Sequence, residues 1–429
     1  VMFDQCKELI IGLQKRGAVV GSSLNTAYLL ERLSQTLERL ETLMAIFVSN
    51  RYLPRRILLL TGCFARAAAE RHSISRLWKQ SSGLMARSVT QNAGDHGEHY
   101  ITRDKKEYWA MFYSAAGGGA LIALMALFKT YLGSIIDDKV WKGLAEGLNY
   151  GFGFMVIFML HFTVATKQPA MTAASFAEAV EKTPQGKTVN MKLAQLLVDV
   201  FRSQSIAVLG NVLIAMGLAA LIAFGYQYKT GEPLMNADQI AYQLHSIDPF
   251  AGTLWFAAIA GVWLFCSGII SGYFDNRSNY LNMRMRLAQH PLLKKLMSEK
   301  TRVKFANYMH ENYGSLIGNF CFGMLLGLTG LVGYLTHLPL DIRHVAFSSA
   351  NLGYSAVSGQ FAYPFFLQCI AFVLLIGLVN LMVSFSLTLW VALRSLNTEI
   401  DSWWAIWHEV CQIVRKRPLS LFFPVQLDK

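Results

Sequence analysis

The sequence predicts an all-α protein: a polytopic membrane helix bundle of six spans with a helical N-terminal cytoplasmic domain. Three observations predict it. Six stretches without a charged residue are long enough to cross a bilayer, Lys and Arg crowd into alternate loops, and the first 107 residues show the apolar period of soluble helices. The composition agrees, with 53% hydrophobic and 15% charged residues, against about 25% charged in a soluble globular chain, and a mean hydropathy of +0.34. That deficit of charge excludes disorder, and the absence of charge from continuous runs argues against a water-soluble enzyme of ordinary type.

Residues 1–107 form the predicted cytoplasmic domain. Leu30, Leu33, Leu37, Leu40, Met44 and Phe47 recur at spacings of three and four, placing one apolar seam on a helix that begins near Asn25. Glu31, Arg32, Glu38, Arg39 and Glu41 occupy its other faces, so this is a soluble helix that needs a partner. Pro54 sits early in the next helical pattern, Arg55 to Glu70, and two glycines within 92–97 break the chain before the first span. The chain starts at Val1 without the basic and apolar regions of a signal peptide, and the domain is expected to be truncated at its start.

Residues 108–393 form the predicted membrane domain. Charge-free gaps run from Glu107 to Lys129, Glu146 to Lys167, Arg202 to Lys229, Asp248 to Asp275 and Glu311 to Asp341, with a sixth from Arg343 to Arg394. A helix rising about 1.5 Å per residue needs roughly 20 apolar residues to cross a hydrocarbon layer of about 30 Å. Five gaps fit one crossing each. The sixth holds 50 residues, so one span is placed in its strongly apolar part, Tyr363 to Leu393. Its earlier part, 344–362, is rich in Ser and Gly and suits a re-entrant segment packed inside protein, since lipid-exposed irregular backbone is not tolerated. Two amphipathic stretches, Met191 to Phe201 and Leu281 to Met309, are expected to lie along the interface.

Orientation follows from the basic residues. One set of loops, with 1–107 and the cytoplasmic tail 394–429, holds 34 Lys and Arg, whereas the other set holds 4. The asymmetry predicts a bacterial inner-membrane protein with both termini inside. The net charge of +12 then has a sufficient partner in anionic inner-leaflet lipids of the bilayer, and no motif demands nucleic acid. A homo-oligomer is compatible with this reading. The six cysteines lie far apart without a C-x-x-C pair and read as core thiols, with neither a disulfide framework nor a zinc knuckle. No cofactor is implied.

Three polar constellations are candidates for a pathway or gate. In the first, a span runs through His161 and ends at Thr166, Lys167 and Gln168, after which Pro169 removes a backbone donor, as in the broken helices of transporters. A lysine snorkelling to headgroups beside a helix-stopping proline accounts for the same letters. The second is a turn at Asp275, Asn276 and Arg277, which either pairs with the Lys167 turn as a cytoplasmic mouth or merely anchors a helix end. The third is Asp341, Arg343 and His344, just before the uncharged run 347–360. Asp95, His96, Glu98 and His99 carry metal-ligand side chains, but without i, i+4 spacing they are weak candidates. Gly117 to Gly119 and Gly323, Gly327, Gly330 and Gly333 lack the strand and the G-K-[ST] of a phosphate loop, so they predict close helix packing.

The runs GEHYITR (97–103), EYWAMFYSAAGGG (107–119), HFTVATKQPAMTAA (161–174), FDNRSNY (274–280) and PLDIRHVAFSSANLGY (339–354) resemble the Gcr-type bacterial membrane proteins described as site-specific recombinases. The resemblance extends over nearly the whole chain and implies membership without identifying a reaction. A tyrosine recombinase stabilises its phosphate with two arginines and a His-x-x-Arg element, and none of the ten histidines here has Arg three residues on. A serine recombinase needs an α/β catalytic domain, whereas the residues ahead of the first span read as helices. Two classes remain: a transporter, channel or lipid-handling protein acting on a small solute or lipid, and a membrane scaffold whose basic domain docks protein, lipid or DNA.

Overall fold

The computed structural model describes residues 2–20, 24–48, 53–70, 101–102, 104–164, 180, 187–395 and 402–424. Among the described residues the regular structure is helical throughout and contains no strand. The helices are α1 (Met2–Val20), α2 (Leu24–Val48), α3 (Leu53–Glu70), α4 (Lys105–Ile135), α5 (Lys139–Met159), α6 (Lys187–Thr230) and α7 (Ala237–Ile247). They continue with α8 (Thr253–Tyr280), α9 (Met283–Gln289), α10 (Pro291–Leu296), α11 (Glu299–Thr336), α12 (Val345–Ser358), α13 (Tyr363–Ser395) and α14 (Trp403–Lys416). Short 3-10 turns cover Pro249–Ala251 and Pro418–Leu421. The chain forms two compact units, one of residues 1–92, 272–313 and 394–397, the other of 93–271, 314–393 and 398–429.

In the first unit, α2 spans the seam read from the sequence and packs against α1, where the Lys7 ammonium reaches the Glu41 carboxylate. That hydrogen bond holds Lys7 above the ordinary lysine pKa. The seam is only partly covered: Leu33, Leu40 and Met44 remain exposed. The amphipathic stretch 281–309 is divided among α9, α10 and the start of α11. Asn282 takes a left-handed backbone (φ 46°) between α8 and α9, and Pro291 starts α10. Arg302 Nε donates to the Ala288 carbonyl (2.6 Å), and Ser278 Oγ lies 3.0 Å from His310 Nδ1, bracing α8 against α11.

Among the described residues, five helices are long and apolar enough to cross a membrane: Lys105–Ile135, Met191–Thr230, Thr253–Tyr280, Glu299–Thr336 and Tyr363–Arg394. The gap 147–166 does not supply a sixth of that kind. Its helix, α5, starts earlier at Lys139 and stops at Met159, so Lys139, Lys142 and Glu146 take up its first turns. Beyond Glu146 the apolar part of α5 is only about 20 Å long, against the roughly 30 Å of a hydrocarbon layer. The Met191–Phe201 stretch leads into the span without a break, because α6 runs from Lys187 to Thr230.

The second unit is held by close approaches that small residues permit. α4 and α6 lie side by side in the same direction, with Thr102 beside Ser203 and Gly119 against the backbone of Asn211. α5 and α11 cross antiparallel through Gly147 and Gly327, where a Cβ on Gly327 would collide with the Gly147 backbone. Gly323 meets Tyr150 and Gly151 in the same way, confirming the packing role expected of these glycines. Around this crossing Phe154, Phe322, Phe347, Tyr354 and Leu264 form the core. α12 is buried along nearly its whole length against α4, α6 and α7, and Tyr354 Oη donates to the Ala123 carbonyl (2.9 Å). At about 21 Å it is too short to cross a bilayer. Within the 344–362 segment, Val345–Ser358 is this helix, and Gly359, Gln360 and Ala362 after it are exposed.

Candidate functional site

A cavity of about 780 Å³ opens where α4 ends, α5 begins and α11 ends, roofed by α7 and floored by the start of α12. Local sequence builds it. Asp138 caps α5, its carboxylate accepting from the amides of Val140 and Trp141 (2.9 Å each). The short link from α4 to α5 brings Lys129 and Glu146 level, with Lys129 Nζ 3.3 Å from Glu146 Oε2 and 5.6 Å from the centre of the Tyr150 ring. Asn236 and Gln239 form a reciprocal capping box that starts α7 and turns Asp238 and Tyr242 toward the same space.

The opposite wall is the 340–348 segment. Arg343 Nη1 sits 2.6 Å from Asp341 Oδ2, its Nε donates to the Ser246 carbonyl (2.8 Å), and its guanidinium lies 5.3 Å from the centre of the Phe256 ring. His344 is buried between the rings of Phe154, Phe322 and Phe347, with centroids 5.9 to 6.3 Å away. Asn380 of α13, itself fully buried, clasps this wall from behind. Its Oδ1 accepts from the Val345 amide (3.1 Å), while Nδ2 donates to the carbonyls of Ala257 (2.7 Å) and Arg343 (3.0 Å). The clasp satisfies an amide of the first turn of α12 that no helical carbonyl can reach.

The arrangement suits a polar ligand. Seven Asp, Glu, Lys and Arg side chains line the cavity, alongside the hydroxyls of Tyr150, Tyr242 and Tyr334. Lys139 Nζ lies 4.1 Å from the Tyr334 ring centre, and Lys142 lines the same space. Such a mixture can offer both ammonium donors and carboxylate acceptors to one solute.

Comparison with protein families gives a match to the family described as Site-specific recombinase over residues 1–424. The chain belongs to that family. No match was found among curated proteins or among solved structures. The family match takes in every helix from α1 to α14, so membership attaches to the long apolar helices as much as to the N-terminal ones.

Of the residues singled out in the sequence, Asp341, Arg343 and His344 come together in the cavity wall. His161 does not join them. It follows the end of α5 with a left-handed backbone (φ 58°), and its carbonyl accepts from Ser114 Oγ (3.0 Å). The chain beyond it is pinned to α4 and α6, since Asn211 Nδ2 donates to the carbonyls of Thr163 (2.9 Å) and Ala115 (2.5 Å). The helix expected to reach Thr166 therefore ends several residues earlier, while Thr166, Lys167, Gln168 and Pro169 lie outside the described residues. Asp275, Asn276 and Arg277 form no turn: they are helical, within α8, and Arg277 Nη1 reaches Tyr273 Oη (3.3 Å). Asp95, His96, Glu98 and His99 also fall outside the described residues, and among those described no cluster of three metal ligands occurs.

Lys129, Lys139, Lys142, Glu146 and Asp238 also line the cavity and are not among the residues singled out in the sequence. Lys129 and Glu146 were visible only as the charges that end one gap and open the next. Their similar distance from a short capped link was the available signal, since an antiparallel helix hairpin sets residues equally far from its turn at the same level.

Proposed function

We propose that this chain is a six-crossing inner-membrane protein of bacteria, with both termini cytoplasmic, that acts as a transporter, channel or lipid-handling protein, and that the recombinase description of its family does not name its reaction. The cavity carries this reading: a chain with only 15% charged residues gathers seven of them around one space of about 780 Å³ at the ends of apolar helices. Charge inside a membrane protein is costly and concentrates where a polar solute or headgroup must be accommodated. The parallel course of α4 and α6 supports a crossing between them, made by α5 together with the non-helical stretch after it. With the basic loops inside, the cavity faces outward and α12 enters the membrane as a re-entrant helix. By the same count of basic residues, His161 to Pro169 and Asp275 to Arg277 each stand, as separate candidates, toward the cytoplasmic side.

Exposure of Leu33, Leu40 and Met44 along α2 favours the second reading, a scaffold that docks protein, lipid or DNA through its basic cytoplasmic domain. The two separate in a strain lacking the protein. Lys129→Met and Glu146→Gln should reproduce the deletion's profile of polar metabolites and lipids at normal protein abundance, whereas Leu33→Asp with Met44→Asp should not. The reverse pattern would reject the cavity as the working site and establish the scaffold.

A further inference from the structure

We propose that the C-terminal segment 402–424 is a preformed binding surface for anionic phospholipid headgroups. It relies on the membrane reading of the chain and is independent of what the cavity handles. One face of α14 is committed to protein: Ile406 and Val410 are buried, and the helix packs on α6. The turn after it is clasped at the end of two membrane-spanning helices. Buried Arg202 of α6 donates to the Ser420 carbonyl (3.4 Å) and the Thr102 carbonyl (2.6 Å) and pairs with Asp199 (2.9 Å). Phe422 rests on Phe201, and Phe423 on Tyr108 near the start of α4.

The other face of α14 is unlike a water-facing surface. Trp404, Trp407 and Cys411 are exposed at helical spacing, Trp403 is exposed beside them, and Leu419, Phe422 and Phe423 continue the apolar surface through the following turn. Trp109 and Tyr113 of α4 are exposed on the helix whose Tyr108 touches Phe423, so one aromatic band joins the span to the tail. Tryptophan accumulates at headgroup depth because its ring is apolar and its N–H seeks hydrogen bonds. At the end of the same helix Arg415, Lys416 and Arg417 are exposed. Tryptophans followed by three consecutive cations, fixed beside the ends of two spans, match an anionic headgroup layer in both depth and charge. A protein partner would have to displace the lipid that these spans require around them.

The test uses the full chain with Cys411 as its one thiol, the other cysteines replaced by Ser, labelled with an environment-sensitive fluorophore. It is placed in nanodiscs of phosphatidylcholine alone or of phosphatidylcholine with phosphatidylglycerol. The label should be quenched by headgroup-proximal doxyl lipid in both, and more strongly with phosphatidylglycerol at low salt. Arg415→Gln, Lys416→Gln and Arg417→Gln together should abolish that difference while leaving elution and helix content unchanged. A label that reports bulk water in both discs overturns the proposal, as does a phosphatidylglycerol effect that survives the triple substitution. So does shielding that rises with protein concentration in lipid-free micelles, which would assign the face to a second copy. None of these outcomes depends on the cavity variants.

Discussion

Asn380→Leu removes the clasp behind the cavity wall with little change in side-chain volume, so its cost is that of the lost hydrogen bonds. Three are lost, to Val345, Ala257 and Arg343, all at a residue with no exposed surface. A net hydrogen bond is worth about 1 kcal/mol in soluble proteins and about 0.6 kcal/mol between membrane helices, so the substitution should cost about 2–3 kcal/mol. Asn149→Leu is the internal control, because Asn149 makes a single described side-chain bond, to the Met125 carbonyl (2.9 Å). It should cost about 0.6 kcal/mol. Both can be read from reversible unfolding in mixed micelles titrated with dodecyl sulfate, following tryptophan fluorescence. The reasoning fails if Asn380→Leu costs no more than Asn149→Leu, since the buried amide would then be dispensable to the start of α12. Asn380→Leu should also loosen the wall that carries Arg343, raising thiol labelling of Asn351→Cys in the cavity. Unchanged labelling would separate stability from site geometry.

Gly327→Leu should reduce folded protein in the membrane severely, because a side chain there meets backbone of α5 and cannot be relieved by a rotamer change; Gly225→Leu, with open space around it, should be tolerated. Abundance by fluorescence-detected size exclusion checks both. In a background without other thiols, Glu232→Cys should react with an impermeant maleimide applied to spheroplasts and Ser298→Cys should react only after lysis, whereas the opposite result rejects the proposed topology. Purified protein incubated with supercoiled plasmid should form no covalent adduct with DNA; an adduct lost on one Tyr or Ser substitution would restore recombination. Weak, salt-sensitive DNA binding is expected in any case from the basic surface.

The apolar gaps and the α2 seam were legible because both are local: a run without charge or a repeat of three and four is complete within one segment. The start of α3 at Leu53–Pro54 was legible for the same reason. The end of α5 was not. Residues 160–164 read as a continuation of the span, yet the helix stops at Met159, and polar groups beyond it find partners on other helices, Ser114 for His161 and Asn211 for Thr163. Charge counting likewise marked Lys129 and Glu146 as ends of spans, and Cys411 read as a core thiol although it lies exposed on α14.

By itself, the sequence determined that the chain is helical, that several helices suit a bilayer, and that Gly117 to Gly119, Gly323, Gly327 and Gly333 serve close packing, since hydrophobicity, charge and side-chain size act where they stand. Only tertiary structure decided that Lys129, Glu146, Asp238, Asp341 and Arg343 share one cavity, that Asn380 closes its wall, and that the aromatic face of α14 sits beside α4 and α6. The physical reason is that a cavity is defined by distances between segments far apart in the chain. Those distances follow from which glycine faces which backbone and which amide finds which carbonyl, neither of which is written in the period of any single helix.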